Sequence, residues 1–210
     1  MIRSLIAFAL VAGLVTVTPG ADTMLVLSSA ARGGVGRGLA TAAGTVSGVY
    51  CWGLAAAAGA SAVLTASQTA YMVLKLAGAA YLLWLGATAL RSSLHRAPAA
   101  DGPRESGAEP QRSLRQSYVR GLLTNLLNPK IGVFYISFLP QFVPHGVAVL
   151  PAGALLTSIH VLEGLLFLGA VSLLAHRAGG WLRTPKVSRV LDRVCATVFI
   201  SFGLRLAVTR

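Results

Sequence analysis

Two proline-broken runs carry the residues best suited to hold a charged solute. One is Thr18-Pro19-Gly20-Ala21-Asp22; the other is Asn125-Leu126-Leu127-Asn128-Pro129-Lys130. Proline lacks an N–H and clashes with the preceding turn, so it breaks a helix interior. It suits the first position of a new helix, which makes Thr18 and Asn128 the expected N-caps. Each motif therefore reads as the start of a half-helix. Its free N–H groups and positive dipole end favour a carboxylate. Asp22, just after the first break, suits a substrate ammonium or a proton that competes with it. Lys130, just after the second, suits a carboxylate or acts as the counter-charge of Asp22. Asn125 either bridges helices or coordinates substrate.

His160 and Glu163 stand three apart and share a helix face. They form either a hydrogen-bonded packing pair or a proton relay; two ligands are too few for an ordinary metal site. Asp22, Lys130 and Glu163 lie in the middle of apolar spans. Charge at the centre of a bilayer costs at least ~2.5–3.5 kcal/mol, so these groups should face the bundle interior. Plainer readings stand beside each: a proline kink, or an ion pair that only holds helices together. Paired breaks in corresponding positions of two halves, each followed by a charge, favour a transporter's binding site. Lys75 lies near a span end and is expected to snorkel to the headgroups.

The elements that position these residues are membrane helices. The chain has 210 residues, 55% hydrophobic and only 11% charged, with mean hydropathy +0.70. A soluble domain averages about 25% charged residues. Six apolar spans can be drawn, at about 4–30, 38–64, 69–90, 119–142, 149–175 and 187–207. Each reaches the ~20 residues a bilayer core needs. The runs are continuous rather than alternating, which argues against a β-barrel. The N-terminus resembles a signal peptide, but apolar character resumes at Met24-Leu25-Val26-Leu27, so residues 1–30 read as a retained first span.

Residues 91–118 form the long polar stretch, with Pro98, Asp101, Gly102, Pro103, Glu105 and Pro110. That composition buries no core and reads as a flexible linker. The expected fold is all-α and integral to the membrane: a first three-helix half at 1–90, the linker at 91–118, and a second half at 119–210. Three spans per half make the halves antiparallel, a 3+3 inverted repeat with helices 1 and 4 broken.

The net charge is +12, but the basic residues sit between apolar spans, with no aromatic-basic face for nucleic acid. Arg32 and Arg37, the linker arginines, and Arg177, Arg183 and Lys186 fall on one side. That side should face the cytoplasm and its anionic lipid headgroups, leaving both termini outside. Cys51 and Cys195 are expected as small buried thiols, since no C-x-x-C or Cys/His cluster is present. Gly44 and Gly48 form a G-x-x-x-G that lets helices approach closely, within the chain or across a homodimer. Trp52, Tyr71, Trp84, Tyr118 and Trp181 are placed as an aromatic belt. No catalytic motif, Walker A loop or H-E-x-x-H is present, so neither an enzyme nor a self-contained ATP-driven pump is expected. No cofactor is implied.

These residues resemble the LysE/RhtB family of amino-acid exporters. The first-helix pattern, approximately T-P-G-P-[ND], stands here as Thr18 to Asp22, with Ala21 where the family usually has a second proline. The third span, Leu76-Ala77-Gly78 through Trp84-Leu85-Gly86, and the fourth, Gly121 through Lys130 and on to Phe138-Leu139-Pro140-Gln141-Phe142, complete the likeness. The resemblance implies export of threonine, homoserine, homoserine lactone or basic amino acids from a bacterial cytoplasm across the inner membrane, coupled to protons. The competing readings are a metal- or redox-handling membrane protein, which would want denser Cys and His, and a non-transporting assembly protein, which has no use for charge at two helix breaks.

Overall fold

The computed structural model describes residues 2–18, 20–66, 68–95, 113–144, 146–175 and scattered positions from 189 to 207. The linker between 96 and 112, Pro19, Cys195, Trp181 and most of the sixth expected span lie outside the described residues, as do the side chains of Tyr71 and Lys75. The described residues form seven α-helices and no strand: α1 Ile2–Val17, α2 Ala21–Gly33, α3 Val35–Ala66, α4 Gln68–His95, α5 Leu114–Leu126, α6 Pro129–Phe142 and α7 Val149–Leu173. Among them α3, over Val35–Ala60, and α7 are long and apolar enough to cross a membrane. Counting each bent pair as one span raises the total to four.

Both proline-broken segments are bent. Helices α1 and α2 meet at 54°, and α5 and α6 at 56°. The second break forms as its residues predict. Asn128 is the N-cap of α6, Pro129 follows in the first turn, and the Asn128 side chain accepts from the Lys130 N–H at 3.1 Å. The first break corrects the expectation. The N-cap of α2 is Gly20, with no side-chain cap bond. Thr18 instead turns its hydroxyl back to the Leu14 carbonyl at 2.6 Å, closing the end of α1. The bond to its own helix turns the Thr18 side chain toward α1 and away from the first turn of α2.

The short link from α2 to α3 rests on Gly34, at φ +82, a left-handed conformation glycine adopts without steric cost. Its N–H bonds back to the Ala30 carbonyl at 2.9 Å, ending α2. Helix α5 opens with a capping box in which Ser113 and Gln116 satisfy each other's N–H groups.

Helix α3 is central and packs against α2, α4, α5, α6 and α7. Its G-x-x-x-G face is taken up within the chain. A Cβ on Gly44 would collide with the Tyr118 carbonyl, and one on Gly121 with the Thr41 carbonyl, so α3 and α5 approach backbone to backbone. Gly44→Ala is therefore expected to cost about 1–3 kcal/mol through forced helix separation; the melting temperature of the detergent-purified variant checks this. Two members of the expected aromatic belt are inside this packing. Trp52 lies against Gly132, and its indole N–H is buried. Tyr118 donates to Ser47 Oγ at 3.0 Å. Cys51, expected to be buried, is an exposed free thiol on α3, because the opposite side of the helix takes the core contacts; in a membrane helix such a surface faces lipid. One apolar cluster gathers Phe8, Phe134, Phe138 and Phe142 with Leu139 and Leu156. A second joins Val26, Leu27, Val46, Leu168 and Val171.

Candidate functional site

A cavity of about 100 Å³ opens where members of the two apolar clusters meet. That is several times the ~10–15 Å³ a single water needs. Both helix breaks line it. From the first come Thr18, Gly20, Ala21 and Asp22; from the second come Asn125, Asn128 and Lys130; His160 arrives from α7. Of the residues expected at a site, these seven besides Ala21 converge. Pro129 only starts α6, and Glu163 is not in the lining.

Asp22 sits in the first turn of α2, where the helix dipole favours an anion. Its Oδ2 accepts from Asn125 Nδ2 at 2.9 Å and from Asn128 Nδ2 at 3.0 Å. Asn128 thus caps α6 with its oxygen and reaches α2 with its nitrogen, tying one break to the other. Asp22 Oδ1 is buried and has no hydrogen-bond partner. A carboxylate oxygen left in that state inside a helix bundle is a ready acceptor for a cationic or protonated group. Lys130 donates from Nζ to the Val15 carbonyl at 3.3 Å, in the last turn of α1. The first-turn N–H groups of α6 are spoken for: Asn128 takes Lys130 N–H through its side chain and the Ile131 and Gly132 N–H groups through its carbonyl. The second break therefore offers its side chains to the cavity, where sequence reasoning expected free N–H groups.

Asn125 is fully buried, and its position depends on α3. A Cβ on Gly48 would come within 2.7 Å of Asn125 Oδ1. The missing side chain lets the Asn125 amide lie flat on α3 while its nitrogen reaches Asp22.

His160 and Glu163 share no hydrogen bond. His160 Nδ1 lies 2.9 Å from the Tyr135 hydroxyl of α6, a buried hydrogen bond, and its ring stacks on that tyrosine at 5.7 Å. Phe134 meets the same imidazole edge-on. A single sequence gives no sign of Tyr135, because the partner comes from a different helix. Glu163 projects toward α1 beside Gly13, where a Cβ would sit in ordinary contact at 3.7 Å from Glu163 Oε1. Its Oε2 is buried without a partner. Tyr135→Phe should leave His160 short of its partner and lower stability by about 1–3 kcal/mol, read as a drop in melting temperature.

The model of the LysE type translocator family matches residues 14–210. The chain is 27% identical over 209 residues to an uncharacterised membrane protein of Bacillus subtilis, covering 99% of this chain and 100% of the relative. It is 27% identical to a homoserine/homoserine lactone efflux protein of Salmonella typhimurium, covering 97% of this chain and 96% of that one. A leucine efflux protein of Enterobacter is 29% identical, over 92% of this chain and 90% of its own length. No solved structure matches.

Proposed function

We propose, since the chain belongs to the LysE type translocator family, that it is a secondary exporter of amino acids or small amino-acid derivatives across a bacterial inner membrane, driven by protons. The relatives named for homoserine, homoserine lactone and leucine efflux support the substrate class. The observation that carries the reading is the meeting of both helix breaks on one cavity, with an unpartnered oxygen of Asp22 beside it. Broken helices placed this way are where secondary transporters bind their substrates and coupling ions.

In this reading Asp22 takes the substrate ammonium or the proton that replaces it. Lys130 takes the carboxylate, and Asn125 and Asn128 hold Asp22 in place. Six spans form an inverted 3+3 repeat whose halves rock about the cavity to expose it to each side in turn. Labelled amino acids loaded into vesicles containing the purified protein should leave faster when an inward proton gradient is imposed. Absence of flux for every amino acid and derivative tried would remove the proposal.

The positive-inside distribution supports a cytoplasmic 91–118 linker with both termini outside. A reporter fused after Arg210 should read as external. A cytoplasmic signal would rule out an even number of spans with this orientation.

A further inference from the structure

Hydroxyls inside these helices mostly meet their own need by donating to the carbonyl four residues back. Thr18 does so to Leu14, Thr41 to Arg37, Ser47 to Ala43, Thr157 to Gly153 and Ser172 to Leu168. Thr16 and Thr45 do not. Their hydroxyls are buried without a hydrogen-bond partner, and both residues line the cavity between the breaks. Thr45 is only 2% exposed, so bulk water does not stand in for the missing partner. Ser137 shares the lack of a partner but does not line the cavity. A buried polar group left unpaired in a native structure asks for an explanation, and an absent ligand is one.

The remaining lining is largely aliphatic: Val46, Val49, Ile131 and Leu168. Gly164 also lines the cavity, and a Cβ there would press on Val46 Cγ1 at 3.0 Å. The charged residues of the lining are Asp22 and Lys130, one of each sign. They match the two charges of an amino-acid backbone and leave none over. A cationic or anionic side chain would have to lie unpaired against aliphatic groups, which is strongly unfavourable.

The geometry points to a zwitterionic amino acid with an uncharged aliphatic side chain as the solute, held by the Thr16 and Thr45 hydroxyls beside Asp22. The side chain lies along Val46, Val49, Ile131 and Leu168, and Gly164 sets the room it has. The inference rests on the exporter reading and narrows it by excluding basic amino acids.

The test is competition against labelled leucine export in proteoliposomes of the full chain. Valine and isoleucine should compete within about tenfold of leucine, and lysine and glutamate should be weaker by roughly 100-fold or more. Thr45→Val keeps the shape and removes the hydroxyl. It should raise the KM for leucine about tenfold without lowering the melting temperature, because the hydroxyl has no protein partner to lose. Gly164→Ala should shift preference from leucine toward alanine and leave lysine excluded. Lysine or glutamate competing as well as leucine would overturn the inference and leave the exporter reading standing. An unchanged KM in Thr45→Val would overturn it too, whatever the melting temperature does. If no amino acid is exported at all, the exporter reading falls and this inference with it.

Discussion

Asp22→Asn is expected to insert and fold normally yet lose export against a gradient by about 100-fold or more, while retaining downhill exchange of substrate. The two effects separate because of what Asp22 touches. Its Oδ2 accepts from Asn125 and Asn128, and an asparagine oxygen can accept from the same two amides. The fold should therefore lose no more than about 1 kcal/mol. What asparagine cannot do is bind and release a proton, the role the proposed mechanism gives to the unpartnered Oδ1 beside the cavity. Export against a gradient at the parent rate would make Asp22 a substrate or packing contact only. The coupling role would then pass to Glu163, whose buried Oε2 also lacks a partner, and Glu163→Gln in the same assay would decide it.

The two breaks were legible because proline, a polar cap and a charge inside an apolar span are each costly there, and costly residues leave a mark in the sequence. That signal located Asp22, Asn125, Asn128 and Lys130, all of which line one cavity. It failed where a residue had two inexpensive options. Thr18 could cap α2 or bond back along α1, and only the local geometry chose the second. His160 had Glu163 on its own helix face, but Tyr135 arrived from α6. Thr16 and Thr45 left no mark at all, since a threonine in a membrane helix ordinarily back-bonds and costs little. Their lack of that bond is visible only in three dimensions. Gly44 and Gly48 announced close packing but not its partner; α5 supplies it, and with it the seat for Asn125.

Asn125→Ala should cost about 2–3 kcal/mol of stability in the parent chain and under about 1 kcal/mol when Asp22 is already Asn. The difference follows from charge. In the parent, Asn125 Nδ2 is one of two donors to Asp22 Oδ2, and a hydrogen bond to a charged group is worth about 1.5–3 kcal/mol. Removing it leaves an under-satisfied carboxylate inside the bundle. In the Asp22→Asn chain the same change removes only a neutral contact. The export defect should follow the same pattern: severe in Asn125→Ala alone, and not added to that of Asp22→Asn when both are present. Gly48→Ala provides an independent route to the same end. Its methyl would meet Asn125 Oδ1 at 2.7 Å and push the amide off Asp22 without touching either residue chemically. Additive losses in the Asp22/Asn125 double variant would mean that Asn125 acts on α3 packing rather than on the carboxylate. Gly48→Ala would then resemble Gly44→Ala, lowering the melting temperature in step with export.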